Sequence, residues 1–152
     1  MKNSSESYSG GAGYVYILQD PLHINKIKIG RSLDPTRRIE ELHGTSSAAR
    51  LQLRALWVTS NAAFLERSIQ GMYEFNRISP DREFFLIADP SWFSVGVLND
   101  PDSVDAFLWQ MTSDINEAIS TTETEARFVP LEEYFERVHE RKEIYPRGPK
   151  GF

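Results

Sequence analysis

Two periodicities divide the chain. Tyr14-Val15-Tyr16-Ile17-Leu18 is an aromatic and β-branched run, which predicts a strand. Gln19 to Asn25, with Asp20-Pro21 inside it, reads as a loop. Lys26-Ile27-Lys28-Ile29 then alternates polar and apolar residues, as a half-buried strand does, and Gly30 is expected to end it. Two strands across so short a connection suggest a hairpin. Leu51, Leu53, Ala55 and Trp57 fall on alternate positions and predict a third strand over 51–59. Glu83-Phe84-Phe85-Leu86-Ile87 suits an edge strand.

The helical period appears between and after these runs. Asp34-Pro35 supplies an N-cap and a proline at the first helical position, so a helix is expected over 36–43, with Ile39 and Leu42 on one side and Gly44 at its end. Asn61 or Ser60 caps a second helix, in which Leu65, Ile69, Met72 and Tyr73 have core-facing spacing. Asp100-Pro101 opens a third, with Val104, Phe107, Leu108, Met111, Ile115 and Ile119 in phase. After a polar break at 120–125, Pro130 opens a last helix with Leu131, Tyr134, Phe135 and Val138 along one side. The expected organisation is a flexible Ser/Gly-rich leader at 1–12, an α/β core at 13–90 and a helical C-terminal extension at 91–152 packed on that core.

Composition narrows the classes. The chain has 152 residues, 40% apolar and 26% charged, which suits one soluble domain. Without cysteine there is no disulfide, thiolate zinc site or cysteine nucleophile. No apolar stretch is long enough for a membrane span, and the leader lacks the apolar segment of a secretion signal, so a cytoplasmic protein is expected. A net charge of −5 argues against a generally nucleic-acid-binding surface. Its distribution does not: residues 26–54 carry seven basic against three acidic side chains, while residues 100–152 carry six against twelve. The basic stretch is either a solvated surface or a phosphate-binding face, and charge alone leaves both open.

There is no Gly-rich phosphate loop, no GxGxxG and no HExxH. His23, His43 and His139 have no ligand spacing and read as surface residues. One constellation stands apart: Gly13-Tyr14-Val15-Tyr16, Lys28-Ile29-Gly30-Arg31-Ser32, Asp34-Pro35-Thr36-Arg37-Arg38, Leu65-Glu66 and Glu83-Phe84-Phe85, in that order. Over about residues 13–87 it resembles the GIY-YIG nuclease superfamily, in the phage and bacterial branch whose second motif is Lys-Ile-Gly. The resemblance implies a small three-stranded antiparallel sheet flanked by helices, and a divalent-metal-dependent DNA endonuclease using Mg²⁺ or Mn²⁺.

The same resemblance assigns roles. Tyr16 matches the tyrosine that takes a proton from water, with Tyr14 as the fallback on the same face. Lys28 replaces the second tyrosine and would bind phosphate or lower the pKa of Tyr16. Arg38 matches the helix arginine, whose guanidinium fork suits a phosphate gaining charge. Glu66 matches the single metal-binding carboxylate; Mg²⁺ keeps most of its waters, so one protein oxygen ligand suffices. Gly30, Arg31, Arg37 and Gln70 are the expected substrate contacts, and Glu83 is read first as structural. Leu42 stands where the family often has histidine.

Three readings follow from this pattern. The first is an active endonuclease, in phage defence or mobile-element biology. The second is a module that keeps the fold and basic face without cutting. The third is a subunit docked through its acidic C-terminal helices to a second copy or a protein partner.

Overall fold

The protein, described here from a computed structural model, is seen over residues 11–46, 49–78, 83–89, 96–97 and 100–140. The leader at 1–10 and the Pro/Gly-rich end fall outside the described residues. Strand β1 (Gly13–Asp20) and strand β2 (His23–Ser32) form the expected hairpin, followed by helix α1 (Pro35–Ser46) and strand β3 (Gln52–Thr59). Helix α2 (Ala62–Met72) and a 3-10 turn (Glu74–Asn76) lead to short strands β4 (Phe84–Leu86), β5 (Ala88–Asp89) and β6 (Gly96–Val97). Helix α3 (Pro101–Thr122), strand β7 (Ala126–Phe128) and helix α4 (Leu131–His139) complete the described chain.

The main sheet is antiparallel with the order β4-β2-β1-β3-β7, and β5 pairs with β6 in a separate ribbon. The sheet thus has five strands where three were expected. The additions are short edges. β4 has the apolar sequence of an edge strand, whereas β7 has three residues, too few for an alternation to register. β7 also brings part of the C-terminal region into the sheet, pairing Phe128 with Trp57.

Helices cover both faces, so the central strands are buried on both sides instead of alternating. On one face Val15, Ile17, Ile27, Ile29, Ala55 and Trp57 pack against α2 and α3, through Leu65, Ile69, Val104, Leu108, Met111 and Ile115. On the other, Tyr14, Tyr16, Leu18, Leu56 and Val58 meet Ile39 of α1 and Tyr134 of α4. A register shift between Ile17 and Leu18 moves Leu53 to this second face, away from Ala55 and Trp57. Helix starts follow their caps: Asp34, Asn61 and Asp100 accept hydrogen bonds from the amides of Arg37, Phe64 and Ser103. Two details differ from expectation. Met72 is largely exposed, and Glu66 takes its place on the buried side of α2.

Candidate active site

The hairpin register sets Tyr16 directly opposite Gly30. Gly30 does not end β2; it lies inside the strand, and the space above it is filled by the Tyr16 ring. A Cβ at Gly30 would stand 2.7 Å from the Tyr16 hydroxyl and 2.8 Å from Cε1, closer than side chains approach. The absent side chain therefore lets the phenol lie across β2 toward the sheet edge, at 1% exposure. Tyr14, opposite Ser32, has no such opening beside it.

Helix α1 brings Arg38 to the same point. The Asp34 cap fixes the first turn, with the Arg38 amide bonded to the Asp34 carbonyl at 3.0 Å. The Arg38 guanidinium donates a hydrogen bond to the Tyr16 hydroxyl and approaches Glu41 at 3.4 Å. Arg37 turns to solvent and pairs with Glu41 instead.

Two residues back from Gly30 on the same face of β2, Lys28 is buried and binds Glu83 at 2.7 Å. Its ammonium, with that of Lys26, also lies over the Phe84 ring. In the Glu-Phe-Phe motif Glu83 thus has a structural role, as the partner of a buried cation.

Glu66 arrives from the other side. Helix α2 packs on the face opposite Tyr16, and Glu66 reaches the flank of β2, where it binds Arg31 at 2.7 Å. β4 pairs with Lys26 to Lys28, and beyond them no described strand flanks β2 on that side. Gln70 holds this flank by donating to the Ile29 carbonyl at 3.0 Å, while the Ile29 amide donates to Glu83. The site is thus a strand edge approached from both faces, not one cleft on one face. A groove of about 580 Å³ between α1, β3 and α4, lined by residues including Ile39, Leu53, Tyr134 and Phe135, contains none of these groups.

The charges sense one another. Burial pushes the Tyr16 phenol up to about 12; the Arg38 hydrogen bond opposes this, while the Glu83 and Glu66 charges add to it. Burial likewise raises Glu66, with Glu83 adding to the effect and Arg31 and Lys28 opposing it. Arg38 stays charged: the Tyr16 and Glu41 contacts outweigh its slight burial.

Tyr16, Lys28, Gly30, Arg31, Arg38, Glu66 and Gln70 are therefore neighbours around one segment of β2, and Arg37 stands outside the group. The pairings Lys28–Glu83 and Arg31–Glu66 were not legible in the sequence, because both join residues 35 or more positions apart. His23 and His139 are exposed, and His43 lies on α1 with its buried Nδ1 unpartnered among the described residues. No described helix is long and apolar enough to cross a membrane.

Comparison with curated proteins and with solved structures gave no match. A family profile described as the T5orf172 domain matches residues 13–108, which runs from β1 into α3 and contains every group at the β2 edge. With more than half its length inside that match, the chain belongs to the T5orf172 domain family, a phage-associated domain of nuclease-related type.

Proposed function

We propose that this protein is a DNA endonuclease of the GIY-YIG type, hydrolysing phosphodiester bonds with a divalent cation, Mg²⁺ or Mn²⁺. The observation that carries the reading is that Tyr16 with Arg38 beside it, over Gly30, and Glu66 paired with the adjacent Arg31 flank one segment of β2 closely enough for the Glu66 charge to act on the phenol, although they come from β1, α1 and α2. Phenol, guanidinium and buried carboxylate are together more than a phosphate-binding patch requires.

Among the described residues no three or more His, Cys, Asp or Glu side chains cluster. A buried carboxylate whose charge is held at a cost nevertheless fits a hydrated cation that takes one protein ligand and completes its shell with water and phosphate. Glu66 would hold such an ion, which would supply Lewis-acid charge at the phosphate.

The remaining steps belong to the protein's own groups. Arg38 donates to the Tyr16 oxygen and keeps the phenol oriented. A phenol at about 12 is protonated at neutral pH, so it must first release its own proton to bulk water, leaving a phenolate that then accepts one from the attacking water. Arg38 and Lys28 then face a phosphate that gains negative charge, Arg38 as a fork and Lys28 as a point charge.

The non-cutting reading is favoured by one observation: Lys28, in place of a second tyrosine, is already tied to Glu83. Separate measurements of cleavage rate and DNA affinity decide between them. Arg38→Ala and Tyr16→Phe should each slow cleavage by about 10²-fold or more, as loss of a transition-state group does, with affinity changed only a few-fold. Equal losses in rate and affinity would leave a basic patch and favour the non-cutting module.

A further inference from the structure

The two ion pairs at the site have opposite asymmetry. In Lys28–Glu83 the cation is enclosed, 9% exposed, and the carboxylate is 45% exposed. In Arg31–Glu66 the carboxylate is enclosed, 8% exposed, and the guanidinium is 49% exposed. A buried carboxylate needs a cation beside it, so Glu66 is the fixed partner of its pair. Arg31 is the partner able to leave. Its backbone is anchored in β2 opposite Val15, while its long side chain lies half in water on the flank, next to Gly30. Exchange for a divalent cation leaves Glu66 neutralised throughout, and the guanidinium leaves from a position already half in water.

We propose that Arg31 is a placeholder cation, which neutralises Glu66 in the resting protein and moves to the substrate phosphate when a divalent cation takes over the carboxylate. The inference rests on reading Glu66 as the metal carboxylate. It gives the guanidinium two alternative partners, a carboxylate and a phosphate, both of which match its planar fork. It also couples the two ligands: cation binding frees a phosphate-binding group, and DNA binding removes a competitor for Glu66, so each must favour the other.

The test is Mn²⁺ binding to the full chain without DNA, followed by electron paramagnetic resonance. Arg31→Met should bind Mn²⁺ about fivefold more tightly than wild type, the scale expected for removing one weak competing ion pair. Arg31→Lys, which keeps a cation, should stay near wild type, and adding Glu66→Gln to Arg31→Met should abolish the gain. DNA affinity supplies the second readout: Arg31→Met should lose more in Ca²⁺ than in EDTA, where the guanidinium is held by Glu66. Thermal melts of each variant establish that it is folded. Unchanged or weaker Mn²⁺ binding by folded Arg31→Met overturns the placeholder role and leaves the endonuclease reading standing. Wild-type Mn²⁺ binding that survives Glu66→Gln places the ion elsewhere, and then both the placeholder and the metal assignment fall.

Discussion

Neighbouring residues of β2 serve two different faces. Ile27 and Ile29 enter a face covered by α2 and α3, where their side chains join an apolar cluster. Lys28 and Gly30, between and after them, look the other way, toward Tyr16, Arg38 and Glu83. A strand selected for stability alone would carry apolar side chains at both. Over Ile27 to Gly30 strand alternation thus sets packing one residue away from a buried amine and a gap filled by a phenol, and only at Arg31, which meets Glu66, does charge enter the packed face. Burying that amine and enclosing the Glu66 carboxylate are costs that the packed face offsets.

The largest effect should come from the packed face. Ile29→Ala leaves a cavity among Ile17, Leu65 and Ile69 neighbours and should cost about 2–5 kcal/mol in chemical denaturation. Lys28→Met removes a buried charge whose partner Glu83 is half in water, and should change stability by less than about 1 kcal/mol. Comparable losses in the two variants would break the distinction between the faces.

The glycines sharpen it. Gly30→Ala puts a methyl group against the Tyr16 ring, which is buried and has nowhere to retreat, and should cost about 1–3 kcal/mol along with activity. Gly71→Ala, on α2 with nothing within 4 Å of the new methyl group, should gain about 0.5–1 kcal/mol. Paired thermal melts read both signs in one experiment.

A smaller effect is set by pH. Tyr16 is raised from 10.0 to about 12, so the neutral phenol is the form the fold prefers. Its contribution to stability is complete below the unfolded value and is lost as pH rises through the folded one, between roughly 10 and 12. Wild type should therefore lose more stability than Tyr16→Phe across that window. Tyr73, also raised to about 12 by burial and the Asp114 charge, gives both proteins a common background decline. Below the window the same sign predicts cleavage that accelerates with pH, about tenfold per unit, if the phenolate is the base.

Much of the frame was legible from local signals. Tyr14 to Leu18 is strand-like at every position, and the Asp34, Asn61 and Asp100 caps mark helix starts that the structure reproduces. The limits of β2 were not: His23, Asn25 and Gly30 all argue against a strand, yet pairing with β1 carries the ladder across them. Leu53 changes face because of a register shift, which no alternation of residues records. At the site, motif order brought out Tyr16, Arg38 and Glu66, but not that α2 stands on the opposite face or that Glu66 already has a cation. Such facts depend on where a helix packs and which long side chains meet, and nearest-neighbour sequence carries neither.

If the β2 edge cuts DNA, cleavage must depend on Glu66. Supercoiled plasmid incubated with the purified protein and Mg²⁺ or Mn²⁺ tests it, beside an EDTA control and Glu66→Ala. Nicked or linear product is expected from wild type alone, none with EDTA, and none from a Glu66→Ala protein that is folded and still binds DNA. Cleavage by Glu66→Ala at the wild-type rate, or cleavage untouched by EDTA, would contradict it.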